Sequence, residues 1–120
     1  MLNIETRDKA LIIVNIRMEV LAEKRKEFLR AIEGIVDITR KTKGCLSQRI
    51  WQNIEDENQF EVFEVWKLQE DLDAHWRSDI FGALLGTEHL LRVSPQIFVN
   101  VVSHTSGMEA VSAARQTSPL

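Results

Sequence analysis

The stretch ALIIVNIRM at residues 10–18 decides the fold of this chain. A continuous run of apolar, largely β-branched residues predicts a β-strand. Its even positions are all apolar, whereas its odd positions begin apolar and end with Asn15 and Arg17. A strand with apolar residues on both faces must be covered on both sides. We therefore expect helices on one face of a sheet and a second layer on the other.

The segments that follow alternate between helical and extended patterns. Residues 21–42 repeat apolar side chains at three- and four-residue steps, which predicts a long amphipathic helix. Residues 45–52 and 60–67 resemble two strands of an antiparallel hairpin, joined by the polar stretch NIEDENQ. Two shorter helical segments, at 69–79 and 80–91, precede a last strand at 96–104. The order β-α-β-β-α-α-β predicts an α+β, ferredoxin-like fold with helices on one face of a four-stranded antiparallel sheet.

The domain organisation follows from the same patterns. Residues 10–104 form the predicted domain, preceded by a polar N-terminal extension at residues 1–9. Residues 105–120 form a C-terminal tail rich in Ser, Ala, Thr and Gly. This composition predicts either a mobile segment or a short accessory helix. Helices on one side would leave an apolar sheet face uncovered, which is a liability for a monomer. We therefore expect a homodimer that packs sheet to sheet.

Composition and charge exclude several classes of protein. The 120 residues are 44 % hydrophobic and 28 % charged, which suits one globular domain rather than a disordered chain. A net charge of −3 argues against a nucleic-acid partner. No apolar run reaches the roughly 20 residues of a membrane helix, and the N-terminus lacks a signal-peptide pattern. Cys45 is the single cysteine, so disulfide scaffolds and cysteine zinc sites are excluded, and a cytoplasmic location is expected.

Known catalytic motifs are missing from the sequence. His75, His89 and His104 lie on three different predicted elements without a metal-ligand spacing, so no metal site is predicted. The chain also lacks a glycine-rich phosphate loop and a nucleophile elbow. Short motifs alone therefore assign no enzyme class.

Polar and aromatic residues on the predicted sheet and the helix after it are candidates for a ligand site. They are Asn15, Arg17, Arg49, Trp51, Glu64, Trp66, His75 and Trp76. If Asn15 faces the helices, it is a polar group in an apolar cavity wall; otherwise it bonds locally or lies at the sheet rim. Glu64 either takes part in the site or, as we favour, pairs with Arg49 across the hairpin. His75 is either a site residue or a helix-surface residue bonded to backbone.

Several motifs, in this order, resemble the antibiotic biosynthesis monooxygenase (ABM) family. They are the apolar first strand, a long helix that ends in TKGCL (42–46), the strand FEVFEVWK (60–67) and the helix start LDAHWRSDIF (72–81). The pattern contains Glu64-x-Trp66, then His75, then Ser78-x-x-Phe81. The resemblance covers residues 10–104 and implies a dimeric α/β barrel with a cavity between sheet and helices in each subunit.

The resemblance implies cofactor-independent oxygenation of a small aromatic substrate such as a quinol, phenol or anthrone. Such substrates reduce dioxygen once they are deprotonated, so the protein supplies a base, hydrogen-bond donors and a dry aromatic pocket. On this basis His75 is the candidate base, Asn15 a donor to substrate or oxygen, and Trp66 a cavity wall. The candidate substrate-binding residues are Arg17, Arg49, Glu64, Trp76 and Phe81, with either arginine stabilising an enolate.

Two other functions remain open. The first is a non-catalytic dimer that binds a small molecule or regulates a partner protein. The second is haem degradation, because relatives with that activity carry an asparagine and a tryptophan that Asn15 and Trp76 resemble. Their iron-ligating histidine would fall near Gly86, and His89 is the local substitute. We expect no cofactor, so haem degradation is the less favoured of the two.

Overall fold

A computed structural model of the protein describes residues 10–116 and contains one four-stranded antiparallel sheet, in the order β2-β3-β1-β4. The elements are β1 (Leu11–Glu19), α1 (Arg25–Arg40), β2 (Cys45–Asn53), β3 (Asp56–Trp66), α2 (Gln69–Trp76), α3 (Asp79–Leu85), β4 (Gln96–Val102) and α4 (Met108–Gln116). Short 3-10 turns precede α1 (Ala22–Lys24) and follow α3 (Gly86–Leu90). The predicted α+β, ferredoxin-like order is confirmed.

The even positions of β1 face the helices. Ile12, Val14, Ile16 and Met18 are almost fully buried and form the centre of the core. The register places them beside the even positions of β3, which are Phe60, Val62, Glu64 and Trp66. The apolar repeat at residues 21–42 predicts a buried stripe of Leu21, Phe28, Leu29, Ile32, Ile35, Val36 and Thr39. Five of these are buried on α1, whereas Leu29 is 37 % exposed and Leu21 lies before the helix. Asn15 and Arg17 therefore point to the face of the sheet that no helix of the described chain covers.

The hairpin turn is shorter than its sequence indicates. The polar stretch at residues 53–59 suggests a long loop, but β3 already begins at Asp56, and Asn53 pairs with Asp56. Only Ile54 and Glu55 connect the strands. The residues at the hairpin tip are exposed on both faces of the sheet. Their sequence therefore lacks the alternation of apolar and polar residues by which a strand is recognised.

Gly44, directly before β2, has a backbone conformation that other residues rarely adopt. Its φ is +87°, and a Cβ at this position would collide with the side chain of Asp71 on α2. Gly44, which lies in the motif TKGCL after the long helix, therefore allows the start of α2 to approach β2 closely.

The predicted tail contains a helix. All residues of α4 are exposed, and residues 117–120, like the N-terminal extension at residues 1–9, lie outside the described residues. Within residues 10–116, none of the helices has both the length and the apolar character needed to cross a membrane.

Candidate functional site

A narrow pocket lies between α1, the sheet and the pair α2–α3. The space between its side chains is too narrow to hold a water molecule while they stay in place. Its lining residues are Ile32, Ile35, Val36, Thr39, Gln48, Val62, Glu64, His75, Phe81 and Leu84. Most of these are apolar, and the polar groups come from one strand pair, β2 and β3, and from two helices, α1 and α2. The composition of this lining, an apolar wall with a few convergent polar groups, is that of a small-molecule site, and a ligand enters it only if the side chains move apart.

Glu64 is the charged group at the base of the pocket. It is 1 % exposed, and each carboxylate oxygen accepts one hydrogen bond. Oε2 accepts from Nε2 of Gln48 at 2.9 Å, and Oε1 accepts from Nε1 of Trp66 at 2.9 Å. The predicted pair of Glu64 with Arg49 is wrong, because the register places Gln48 opposite Glu64 and Arg49 opposite Phe63. A carboxylate buried without a cation is costly, so these two donors are needed to hold it.

His75 enters the pocket from the last turn of α2. Its ring is 2 % exposed, stacks on Trp66 at 4.9 Å between centroids and meets Phe81 edge-on at 5.5 Å. Nδ1 is buried and has no hydrogen-bond partner in the described chain. The alternative prediction, that His75 lies on the helix surface and is bonded to backbone, is therefore wrong.

Burial lowers the pKa of His75 from its usual 6.5, and the negative charge of Glu64 partly opposes this shift. The imidazole is therefore neutral at pH 7 and is able to accept a proton. The same two influences raise the pKa of the neighbouring Cys45 thiol, first burial and then Glu64. Cys45 is thus a neutral thiol rather than a nucleophile at pH 7.

Ser78 explains the spacing between His75 and Phe81. Its hydroxyl donates to the carbonyl of His75 at 2.6 Å and accepts from the backbone N–H of Phe81 at 3.3 Å. Ser78 is thus the N-cap of α3 while it is bonded to the end of α2. This one side chain sets the angle between two short helices and brings the rings of His75 and Phe81 together.

The predicted site residues divide between the two faces of the sheet. Glu64, His75 and Phe81 line the pocket. Asn15 lies on the opposite face, where Nδ2 donates to Oε1 of Glu61 at 3.0 Å. Arg17 lies there too, 3.6 Å from Glu61 and over the ring of Phe98 at 4.8 Å.

Arg49 is exposed on that same opposite face. Neither Arg17 nor Arg49 is therefore placed to stabilise an enolate in the pocket of its own chain. The expected grouping of Asn15 with Trp66 and His75 is likewise wrong, since the sheet separates them.

The two candidate tryptophans support the site rather than line the pocket. Trp66 is fully buried behind His75 and Glu64, and both contact it. Trp76 is half-buried against the core, and its Nε1 is buried without a partner among the described residues.

Gln48 is the pocket residue that the sequence analysis missed. It is 3 % exposed, lines the pocket and donates a hydrogen bond to Glu64. The alternation of side chains along β2 predicts this position, because Gln48 and Ile50 are two residues apart and share a face, and Ile50 packs against the core. The candidates Arg49 and Trp51 lie on the other face of β2, across the sheet from the pocket.

The candidate iron ligand of the haem alternative lies outside the pocket. His89, the proposed substitute for an iron ligand, is exposed, with Nδ1 2.8 Å from the carbonyl of Gly86 and Nε2 3.7 Å from Glu27. It does not line the pocket. Among residues 10–116, no three His, Cys, Asp or Glu side chains are grouped to hold a metal ion.

The fold and the site define a class: a ferredoxin-like α+β domain with a pocket between the helices and one face of its sheet. The family model for antibiotic biosynthesis monooxygenases matches residues 11–85, well over half of the chain. The chain belongs to the ABM family.

Individual relatives agree on the fold. A conserved protein from Methanosarcina mazei Go1 superimposes with a TM-score of 0.74 at 26 % identity, covering 81 % of this chain and 97 % of that one. The crystal structure of an antibiotic biosynthesis monooxygenase gives a TM-score of 0.70 at 19 % identity, covering 74 % and 95 %. The Synechocystis protein sll1783 is 29 % identical over 70 residues, or 58 % of this chain. The match spans only about half (48 %) of that protein's length.

Proposed function

We propose that this protein is a cofactor-independent monooxygenase of a small hydroxylated aromatic compound, with His75 as the general base. The observation that carries the proposal is the neutral, buried imidazole whose Nδ1 has no protein partner and whose ring lines the pocket. Membership of the ABM family supports a monooxygenase. The substrate class is inferred from the apolar lining.

In the proposed reaction, the imidazole removes a proton from the substrate and becomes an imidazolium ion. The electron-rich anion then reduces dioxygen, so the electrons come from the substrate itself. For a methylene carbon activated by an aromatic ring, one oxygen atom becomes the new carbonyl and the other leaves as water with the two hydrogens. Glu64 lies close enough for its negative charge to stabilise the imidazolium ion.

Oxygen uptake tests the proposal directly. We expect the protein to consume dioxygen with at least one reduced naphthoquinone, anthrone or catechol, faster than the autoxidation of that compound without protein. An oxygen electrode measures both rates in the same buffer. Rates that equal autoxidation for all three compound classes would refute the oxygenase.

A non-catalytic binding protein is the second candidate. It is favoured by the narrowness of the pocket and by the two hydrogen bonds that hold Glu64. A bicyclic ligand enters only if the lining side chains shift. Saturable binding of the same aromatic compounds without oxygen uptake would establish this function instead.

We also propose that the protein is a homodimer that packs through the uncovered face of its sheet. Ile13, Phe63, Val65 and Val102 are half-buried there although none of the helices within residues 10–116 covers them, and Phe98 is 41 % exposed. The face also carries the bonded group of Asn15, Arg17 and Glu61. A second copy buries the same patch on both subunits about a two-fold axis.

A charge in the middle of this face should separate the subunits. We expect the wild-type protein to sediment at twice the mass of one chain at micromolar concentration, and Phe63→Glu at the mass of one chain. The carboxylate would be buried without a partner in the interface. Ile38→Glu is the matched control, because Ile38 is 52 % exposed on α1, away from the sheet. A wild-type protein that sediments as a single chain would contradict the dimer.

A further inference from the structure

Gln48 has a buried oxygen atom that is available to a ligand. Its carboxamide is 3 % exposed and lines the pocket, and Nε2 donates to Glu64. Oε1 is buried and has no hydrogen-bond partner among the described residues. Buried polar atoms in folded proteins nearly always have a partner, so an unpaired oxygen that borders a pocket needs an explanation.

The chemistry of Glu64 fixes which atom of the carboxamide is free. An ionised carboxylate only accepts hydrogen bonds, so the NH2 group of Gln48 must face Glu64. Rotation of the amide by 180° would bring two acceptors together. The atom left for a ligand is therefore the oxygen, which is an acceptor.

Glu64 and His75 offer acceptors to the pocket as well, and the hydroxyl of Thr39 already donates its proton to the carbonyl of Ile35 at 2.8 Å. Both oxygens of Glu64 carry lone pairs beyond those already used, and the unpartnered Nδ1 of a neutral His75 accepts when the ring proton is on Nε2. No lysine or arginine lines the pocket in the part of the chain that the structure describes. Such a lining suits a hydrogen-bond donor without negative charge, and repels carboxylates and phosphates.

We propose that Gln48 is a substrate-binding residue whose Oε1 accepts a hydrogen bond from the hydroxyl group of an uncharged aromatic ligand. Glu64 acts as a positioning residue that holds the carboxamide in this orientation. The inference rests on the proposed function for the identity of the site and adds the charge state and the hydrogen-bonding group of its ligand. The ligand therefore binds in its protonated, uncharged form.

Binding of three matched compounds under nitrogen tests the inference without turnover. The probes are 1-naphthol, 1-methoxynaphthalene and 1-naphthoate, titrated by calorimetry. We expect 1-naphthol to bind about tenfold more tightly than the ether, which cannot donate, since a buried hydrogen bond contributes about that factor. We expect 1-naphthoate to bind more weakly than either.

Gln48→Leu removes the acceptor at a similar side-chain size. We expect it to abolish the preference for 1-naphthol over the ether, a ratio that general loosening of the pocket would not change. Gln48→Met, which keeps the unbranched shape, should do the same if the leucine variant fails to fold. Gln52→Leu is the control, because Gln52 lies on the same strand, is exposed and donates to the carbonyl of Glu57 rather than to a pocket residue.

The outcomes separate this inference from the proposed function. An unchanged naphthol-to-ether ratio in the folded Gln48 variants would overturn the inference even if oxygen uptake is found. Tight binding of 1-naphthoate, or no binding of any of the three compounds, would overturn it as well. The expected ratios without any oxygen uptake would support Gln48 as the binding residue and refute the oxygenase.

Discussion

His75→Ala should lower kcat/KM for oxygen uptake by about 10²–10⁴-fold, the range that removal of a general base produces. The imidazole is the only neutral proton acceptor with an unpaired nitrogen in the pocket, among the residues that the structure describes. Rates of purified variants in the oxygen electrode measure the effect. His89→Ala is the matched control and should retain full activity, since His89 is exposed and its contact with Glu27 is a surface pair.

The pH dependence gives the same prediction a second readout. The base works in its neutral form, so kcat/KM should fall as the pH drops through the pKa of His75. Because burial holds this pKa below 6.5, the rate should be near its plateau at pH 7 and decline only below pH 6.5. A His75→Ala variant that keeps wild-type rates, or a profile that does not decline in acid, would remove His75 from the base role.

Leu72→Ala should lower the free energy of unfolding by about 2–5 kcal/mol, the usual cost of a cavity left by a buried leucine. Leu72 is fully buried and lies one turn before His75 on α2, so it anchors the short helix that carries the proposed base. Urea denaturation followed by circular dichroism measures the change. Loss of the leucine should also lower oxygen uptake at temperatures where the variant remains folded.

Leu85→Ala is the matched control for this substitution. Leu85 ends the neighbouring helix α3 and is 47 % exposed, so its truncation leaves little cavity and should cost less than about 1 kcal/mol. Equal losses of stability in the two leucine variants would mean that α2 is not anchored through Leu72.

The order of the elements could be predicted because each depends on local patterns. The run at residues 10–18 and the stripe on α1 have the periods of a strand and a helix, and both predictions are confirmed. The hairpin boundary was predicted four residues too late, since the start of β3 at Asp56 lies in an exposed tip without alternation. Period-based reasoning fails where neither face of a strand is buried.

The candidate site was predicted in part. His75, Glu64 and Phe81 lie in the pocket, and the spacing from His75 to Phe81 now has a cause in the hydroxyl of Ser78. Asn15 was grouped with them because a polar residue in an apolar strand indicates a site. A change of one residue in the strand register would move Asn15 to the other face of the sheet, and the alternation along a single strand does not determine the register.

The sequence by itself determined the element types, their order and the membership of an α+β family, since these follow from periodicity and motif spacing along the chain. Only the tertiary structure decided which face of each strand meets the helices. That decision places Arg17, Arg49 and Asn15 across the sheet from His75, and it brings Gln48 beside Glu64. The physical reason is that side chains of a strand alternate between faces, so function depends on pairing between distant segments that no local pattern encodes.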